Sequence, residues 1–104
     1  MTCDFNIYGK ISEKLKVLSD PKRLEIVDIL SCGELCACEI LEKFDISQPT
    51  LSSDMKKLEQ AQIVKSRKEG KNTYYTLDKD CLHKLEAYLG EIFSFKDNCI
   101  CFKK

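Results

Sequence analysis

Asp45-Ile46-Ser47-Gln48-Pro49-Thr50-Leu51-Ser52-Ser53-Asp54-Met55-Lys56-Lys57-Leu58 is the stretch that decides the fold. Ser47 is an N-cap residue type, and Pro49 suits a first helical turn, where a missing N–H is harmless. Leu51, Met55 and Leu58 recur at helical spacing and form one buried stripe. Gln48, Thr50, Ser52, Ser53, Lys56 and Lys57 point elsewhere. The helix opens with compact hydrogen-bonding side chains on its free face.

Upstream, the spacing predicts a short helix from about Glu34 to Phe44, with Leu35, Ile40, Leu41 and Phe44 apolar. Two helices joined by so tight a turn match a helix-turn-helix, whose second helix can enter the major groove. Downstream, Ile63–Lys68 and Thr73–Leu77 are β-prone runs, and Glu69-Gly70-Lys71-Asn72 between them reads as a hairpin turn. Lys65, Arg67, Lys68 and Lys71 make that hairpin a basic wing able to meet phosphate. Asp54 is the anomaly: on a DNA-facing helix it repels phosphate unless it pairs with a lysine or accepts from cytosine N4.

Two further helices precede this unit and one follows. Ile7, Ile11, Leu15 and Leu18 form the stripe of the first. Asp20 caps the second and Pro21 opens it; Leu24, Val27, Ile29 and Leu30 carry it to a stop at Gly33. Leu82, Leu85, Leu89, Ile92 and Phe93 carry a last helix from Lys79 to about Phe95, followed by a cysteine-containing tail over 96–104. The expected architecture is mainly α with a small β-hairpin, a single winged helix-turn-helix domain over residues 1–104.

At 104 residues, 43% hydrophobic and 33% charged, the chain suits one small folded domain rather than disorder. The net charge is zero, so nonspecific polyanion binding is not the whole function. That total hides a net of −4 over residues 20–46 and +3 over residues 47–76. No apolar run approaches the roughly 20 residues of a membrane span, and no signal pattern follows Met1, so a cytoplasmic protein is expected.

The sequence resembles the ArsR/SmtB metalloregulatory repressors through Leu18–Leu24, Gly33–Ile40, Ile46–Ser52 and Tyr74–Leu77, in order and spacing. The resemblance spans about residues 7 to 95. It implies a homodimer built largely from the terminal helices, double-stranded operator DNA as partner, and release of DNA by an inducer metal or metalloid. It assigns Gln48, Thr50, Ser52 and Ser53 to DNA.

The resemblance also makes Glu34-Leu35-Cys36-Ala37-Cys38 a thiolate inducer site. Seven cysteines, an odd count without a signal peptide, favour ligands over structural bridges. Thiolates suit soft ions, with As(III) or Sb(III) leading and Cd(II) or Pb(II) as alternatives. In a regular helix, however, residues two apart diverge by about 200°, so joint binding by Cys36 and Cys38 requires a distorted first turn. The expected third sulfur is Cys32, with Cys3 the other option. Cys99 and Cys101 could form a second site; Cys81 reads as structural.

His83, the only histidine, lacks a second one about ten residues on, which disfavours the zinc site of related sensors and reads as a surface residue. With no Gly-rich phosphate cradle, Cys-x-x-Cys pair or Cys-x5-Arg loop, an enzyme is not expected. The expected function is a repressor released by a thiophilic ion. A thiol redox or persulfide switch on the same scaffold is the rival.

Overall fold

The computed structural model describes residues 5–95, so Cys3, Cys99 and Cys101 lie outside the described residues. The chain runs α1 (Phe5–Leu18), α2 (Pro21–Leu30), β1 (Leu35–Cys36), α3 (Ala37–Lys43), α4 (Gln48–Gln60), β2 (Val64–Glu69), β3 (Asn72–Leu77) and α5 (Lys79–Phe93). The helix starts follow their caps. An Asp20 carboxylate oxygen accepts from the Lys22 N–H at 3.0 Å, Ser47 Oγ from the Thr50 N–H at 3.3 Å, and Asp78 from the Cys81 N–H at 3.1 Å. Each satisfies a donor that the first helical turn leaves open.

Ile26, Leu30, Ile40, Leu51, Met55, Leu58, Ile63 and Val64 form the core, gathered from α2, α3, α4 and the root of the wing. The expected stripe of α4 is therefore its buried face. Four expected stripe positions are not buried: Leu15, Leu24, Ile92 and Phe93 are exposed. Leu24 is 54% exposed while Ile26 is fully buried, because residues two apart on α2 face opposite ways and the Ile26–Leu30 row meets the core. Leu15 is 42% exposed, although Ile11 on the same helix is buried.

The segment expected as one helix from Glu34 begins instead as a strand. Leu35 and Cys36 pair antiparallel with Tyr75 and Tyr74, giving a three-stranded sheet in the order β1-β3-β2 rather than a bare hairpin. Two residues suffice to cover an edge of β3 that would otherwise stay open. Gly33 at φ 139° makes the reversal from α2, a conformation that costs a glycine little. Helix α3 starts only at Ala37.

The α4–wing joint is a Schellman turn. The Ile63 N–H reaches the Leu58 carbonyl at 2.9 Å and the Gln62 N–H reaches Glu59 at 2.9 Å. Gln62 takes the left-handed position, φ 64°. Beyond it, β2 and β3 pair in register from Val64↔Leu77 to Glu69↔Asn72, and Gly70 at φ 63° permits the two-residue turn.

Candidate nucleic-acid interface and thiol site

On α4, at about 100° per residue, Gln48, Ser52, Ser53, Lys56 and Lys57 fall outside the buried arc, and all five are exposed. Thr50 is half-buried, and its Oγ1 accepts from the Ser47 hydroxyl at 3.0 Å. Its hydroxyl is thus tied to the cap at the N-terminal end of the helix. Together these residues offer hydrogen-bonding groups and two cations of the kind that meet base edges and phosphates.

Asp54 does not face outward. It shares the arc of Leu51, Met55 and Leu58 and is 5% exposed. Arg23 of α2 donates to its Oδ1 at 3.2 Å, and Lys22 Nζ lies 3.4 Å from Oδ2 without hydrogen-bond geometry. The same Arg23 donates through Nε to the Val17 carbonyl at 2.7 Å and sits 3.4 Å from Asp20. One guanidinium therefore ties the end of α1, the cap of α2 and the middle of α4. The anomaly in the sequence resolves into an internal ion pair, with a lysine beside it but an arginine as the principal partner.

The wing presents Lys65, Lys68 and Lys71 to solvent. Arg67 differs from them. Glu34 accepts two hydrogen bonds from its guanidinium, both 2.9 Å, in a bidentate fork. Glu69 lies 3.4 Å from the same group, and the Tyr74 ring centroid is 4.6 Å from its central carbon. These hydrogen bonds, with the attending charges, hold the Glu34 carboxyl below its usual range and push the Arg67 guanidinium higher still. In this conformation the guanidinium of Arg67, expected to meet phosphate, is engaged by two carboxylates and an aromatic face.

Cys36 and Cys38 are paired sulfur to sulfur as a disulfide, with Cα atoms 5.4 Å apart. The expected conflict of angles does not arise. Cys36 is the N-cap of α3 with an extended backbone (φ −85°, ψ 161°), so only Cys38 lies on the helix. The strand-to-helix junction turns the two side chains together without distorting α3. Glu39 accepts from the Cys36 N–H at 2.9 Å and steadies the junction. Cys36 is buried and Cys38 exposed. When reduced, this pair is a soft, two-sulfur donor set that fits a thiophilic ion and suits oxygen-preferring cations poorly.

Cys32 is exposed in the turn after α2. Among the described residues, no three Cys, His, Asp or Glu side chains are gathered as a metal site. Cys81 stands in the first turn of α5, where burial pushes its thiol up. His83 is exposed. Sequence reasoning missed Arg23 and Glu34. Asp54 in a buried arc signalled the need for a cation; nothing local to Glu34 pointed to a wing residue 33 positions away.

A compact helix-turn-helix followed by a two-stranded wing and flanked by terminal helices defines the winged helix-turn-helix class of DNA-binding proteins. The family model for bacterial regulatory proteins of the arsR family matches residues 20–66. The arsenical resistance operon repressor of Staphylococcus xylosus is 49% identical over 94 residues, covering 90% of each chain. Its counterpart in Staphylococcus aureus is 47% identical over the same share. The crystal structure of a possible transcriptional regulator for arsenical resistance aligns with a TM-score of 0.73 at 29% identity, covering 80% of this chain and 86% of that one. This chain belongs to the arsR family, and it is a DNA-binding transcriptional repressor rather than an enzyme. Among the described residues no helix is long and apolar enough to cross a membrane.

Proposed function

We propose that the protein is an arsenite-responsive repressor that holds double-stranded operator DNA as a homodimer and leaves it when As(III) binds Cys36, Cys38 and a third sulfur. The observation that carries this reading is the meeting of the Cys36 and Cys38 sulfurs at the entrance to the helix-turn-helix. It is supported by the similarity to repressors of arsenical resistance operons. Cys32 is the proposed third ligand, four residues before Cys36, with Cys3 or the tail pair Cys99 and Cys101 as other sources.

Dimerisation is supported by the apolar surface of the terminal helices. Tyr8 and Leu15, seven residues apart on α1, and Ile92 and Phe93 at the end of α5 are all at least 40% exposed. The protomer is elongated, 55 Å by 23 Å by 23 Å. Two recognition helices related by a dyad would read half-sites about 10 bp apart. Gln48, Thr50, Ser52 and Ser53 would contact bases, while Lys56, Lys57, Lys65, Lys68 and Lys71 supply phosphate affinity. Ion binding would lower DNA affinity by about 5–150-fold, the usual range of such couplings.

Gel shifts on the native promoter test this. Arsenite should release the reduced wild-type protein, whereas Cys36→Ser and Cys38→Ser should bind DNA and ignore arsenite. Retention of the wild-type complex at saturating arsenite overturns the proposal. Cd(II) and Pb(II) run in parallel identify a different thiophilic inducer.

The sulfur pairing also favours a second reading, a redox switch. Two thiols would pass two protons and two electrons to a peroxide, forming the disulfide and releasing two waters in the hydrogen-peroxide case. Mass spectrometry separates the two: oxidation removes two hydrogens, while ion sensing adds the mass of an ion and leaves the sulfurs unoxidised.

A further inference from the structure

Cys36, Tyr74 and Arg67 stand in one cross-strand row. Cys36 is in register with Tyr74 across β1–β3, and Tyr74 with Arg67 across β3–β2. Residues so paired share a face of the sheet, and their side chains interact. The guanidinium of Arg67 stacks on Tyr74, and its fork is filled by Glu34, two residues before Cys36. The thiol pair and the most heavily engaged cation of the wing are thus joined twice, through the sheet and through Glu34.

From this juxtaposition, and resting on the thiol site proposed above, we infer that Glu34 is a positioning residue that withdraws Arg67 from DNA when the Cys36 and Cys38 sulfurs are drawn together. In the conformation described, the sulfurs meet and Arg67 is held by Glu34 at the same time. Arg67 has five donors in a fixed plane. A fork filled by one carboxylate is not available to a phosphate, and Glu69 further neutralises its charge. Separation of the sulfurs in the reduced, ion-free protein frees the Cys36 end of β1. With only two paired residues, that strand is the part of the sheet most easily shifted. A shift there carries Glu34 away from β2 and returns the guanidinium to the DNA face.

The arrangement predicts a difference of one phosphate contact per protomer between the two states. Each neutralised phosphate contributes about 0.9 to the slope of log affinity against log salt. A change in the number of phosphate contacts alters that slope, whereas mere loss of folded protein does not.

The test is the salt dependence of operator binding for the wild type and Glu34→Gln, each reduced with and without arsenite. In the wild type, arsenite should lower the slope by about 0.9 per protomer. In Glu34→Gln the slope should stay near its ion-free value and arsenite should release DNA several-fold less effectively, while thiolate-to-arsenic absorption shows undiminished ion binding. Arg67→Ala should have the low slope with or without arsenite. Equal slope changes in the wild type and Glu34→Gln would overturn the inference, as would an unchanged slope in Arg67→Ala.

A second arm separates this inference from the sensing proposal. With the other five cysteines replaced by Ser, diamide closes Cys36–Cys38 by taking up two electrons and two protons. Failure of arsenite to act on the wild type, which keeps every candidate third sulfur, with a diamide-induced slope change in the five-serine variant that Glu34→Gln abolishes, would reject arsenite sensing and keep the Glu34 link. Normal release by arsenite with no role for Glu34 in either arm would do the reverse.

Discussion

Two arginines, each bound to a carboxylate more than thirty residues away, sit in opposite environments. Arg23 and Asp54 have side chains 13% and 7% exposed, between α2 and α4. Arg67 and Glu34 are 50% and 34% exposed, between the wing and the strand that leads to the thiol pair. Water screens the second pair and is largely kept from the first. An exposed pair contributes little to stability, whereas removing one partner of a buried pair strands a charge in a poorly solvated place. The pair that fixes the fold and the pair that contributes little to it are therefore different pairs, and solvent makes the distinction. A link that contributes little to the fold is suited to switching.

Breaking the buried pair should give the largest effect. Asp54→Ala leaves Arg23 with only Asp20 and the Val17 carbonyl, and should cost about 3 kcal/mol in urea unfolding. Replacing both partners by apolar residues, Arg23→Met with Asp54→Leu, should recover most of that loss. If Asp54→Ala unfolds within about 1 kcal/mol of wild type, the pair behaves like a surface bridge and the contrast disappears. Glu34→Gln in the same assay should leave the midpoint within the scatter of repeats.

On the wing, Lys68 is exposed and has no carboxylate partner among the contacts described, unlike Arg67. Lys68→Ala should weaken binding to every DNA sequence alike and lower the salt slope by about 0.9 per protomer, with or without arsenite. Arsenite-independent loss at Lys68 and arsenite-dependent loss at Arg67 sharpen the comparison. A Lys68 effect confined to one base pair would break it. Thiol chemistry offers a milder check. Cys32 is exposed, while burial raises the Cys81 thiol, so iodoacetamide at neutral pH should alkylate Cys32 before Cys81.

The fold was legible where local chemistry repeats itself. Asp20-Pro21 and Ser47 announced two helix starts, the Leu51-Met55-Leu58 stripe announced the buried face of α4, and Gly70 announced the wing turn. What escaped was non-local. Leu35-Cys36 reads as the beginning of a helix because its partner strand lies almost forty residues on, and a two-residue strand has no period to detect. The Cys36–Cys38 conflict was an artefact of that same misplaced boundary: moving the helix start to Ala37 removes it. Arg67 looked like its lysine neighbours because nothing in a basic hairpin tells which cation a distant carboxylate will claim.

Between the buried pair on α4 and the exposed pair on the wing lies the joint at Gln62, where a substitution should change stability only slightly and in the opposite direction to Asp54→Ala. An L-residue in the left-handed region costs about 1–2 kcal/mol, while glycine there loses about 0.5–1 kcal/mol of unfolded-state freedom. Gln62→Gly should therefore stabilise the domain by about 0.5 kcal/mol in urea unfolding. The Schellman hydrogen bonds from Ile63 and Gln62 hold the direction in which β2 leaves α4. The relieved joint should keep operator affinity and arsenite response as they are. A change in either would show that wing direction is set by strain at Gln62 rather than by those hydrogen bonds and the cross-strand register, and the division between a rigid inner pair and a mobile outer one would have to include the joint.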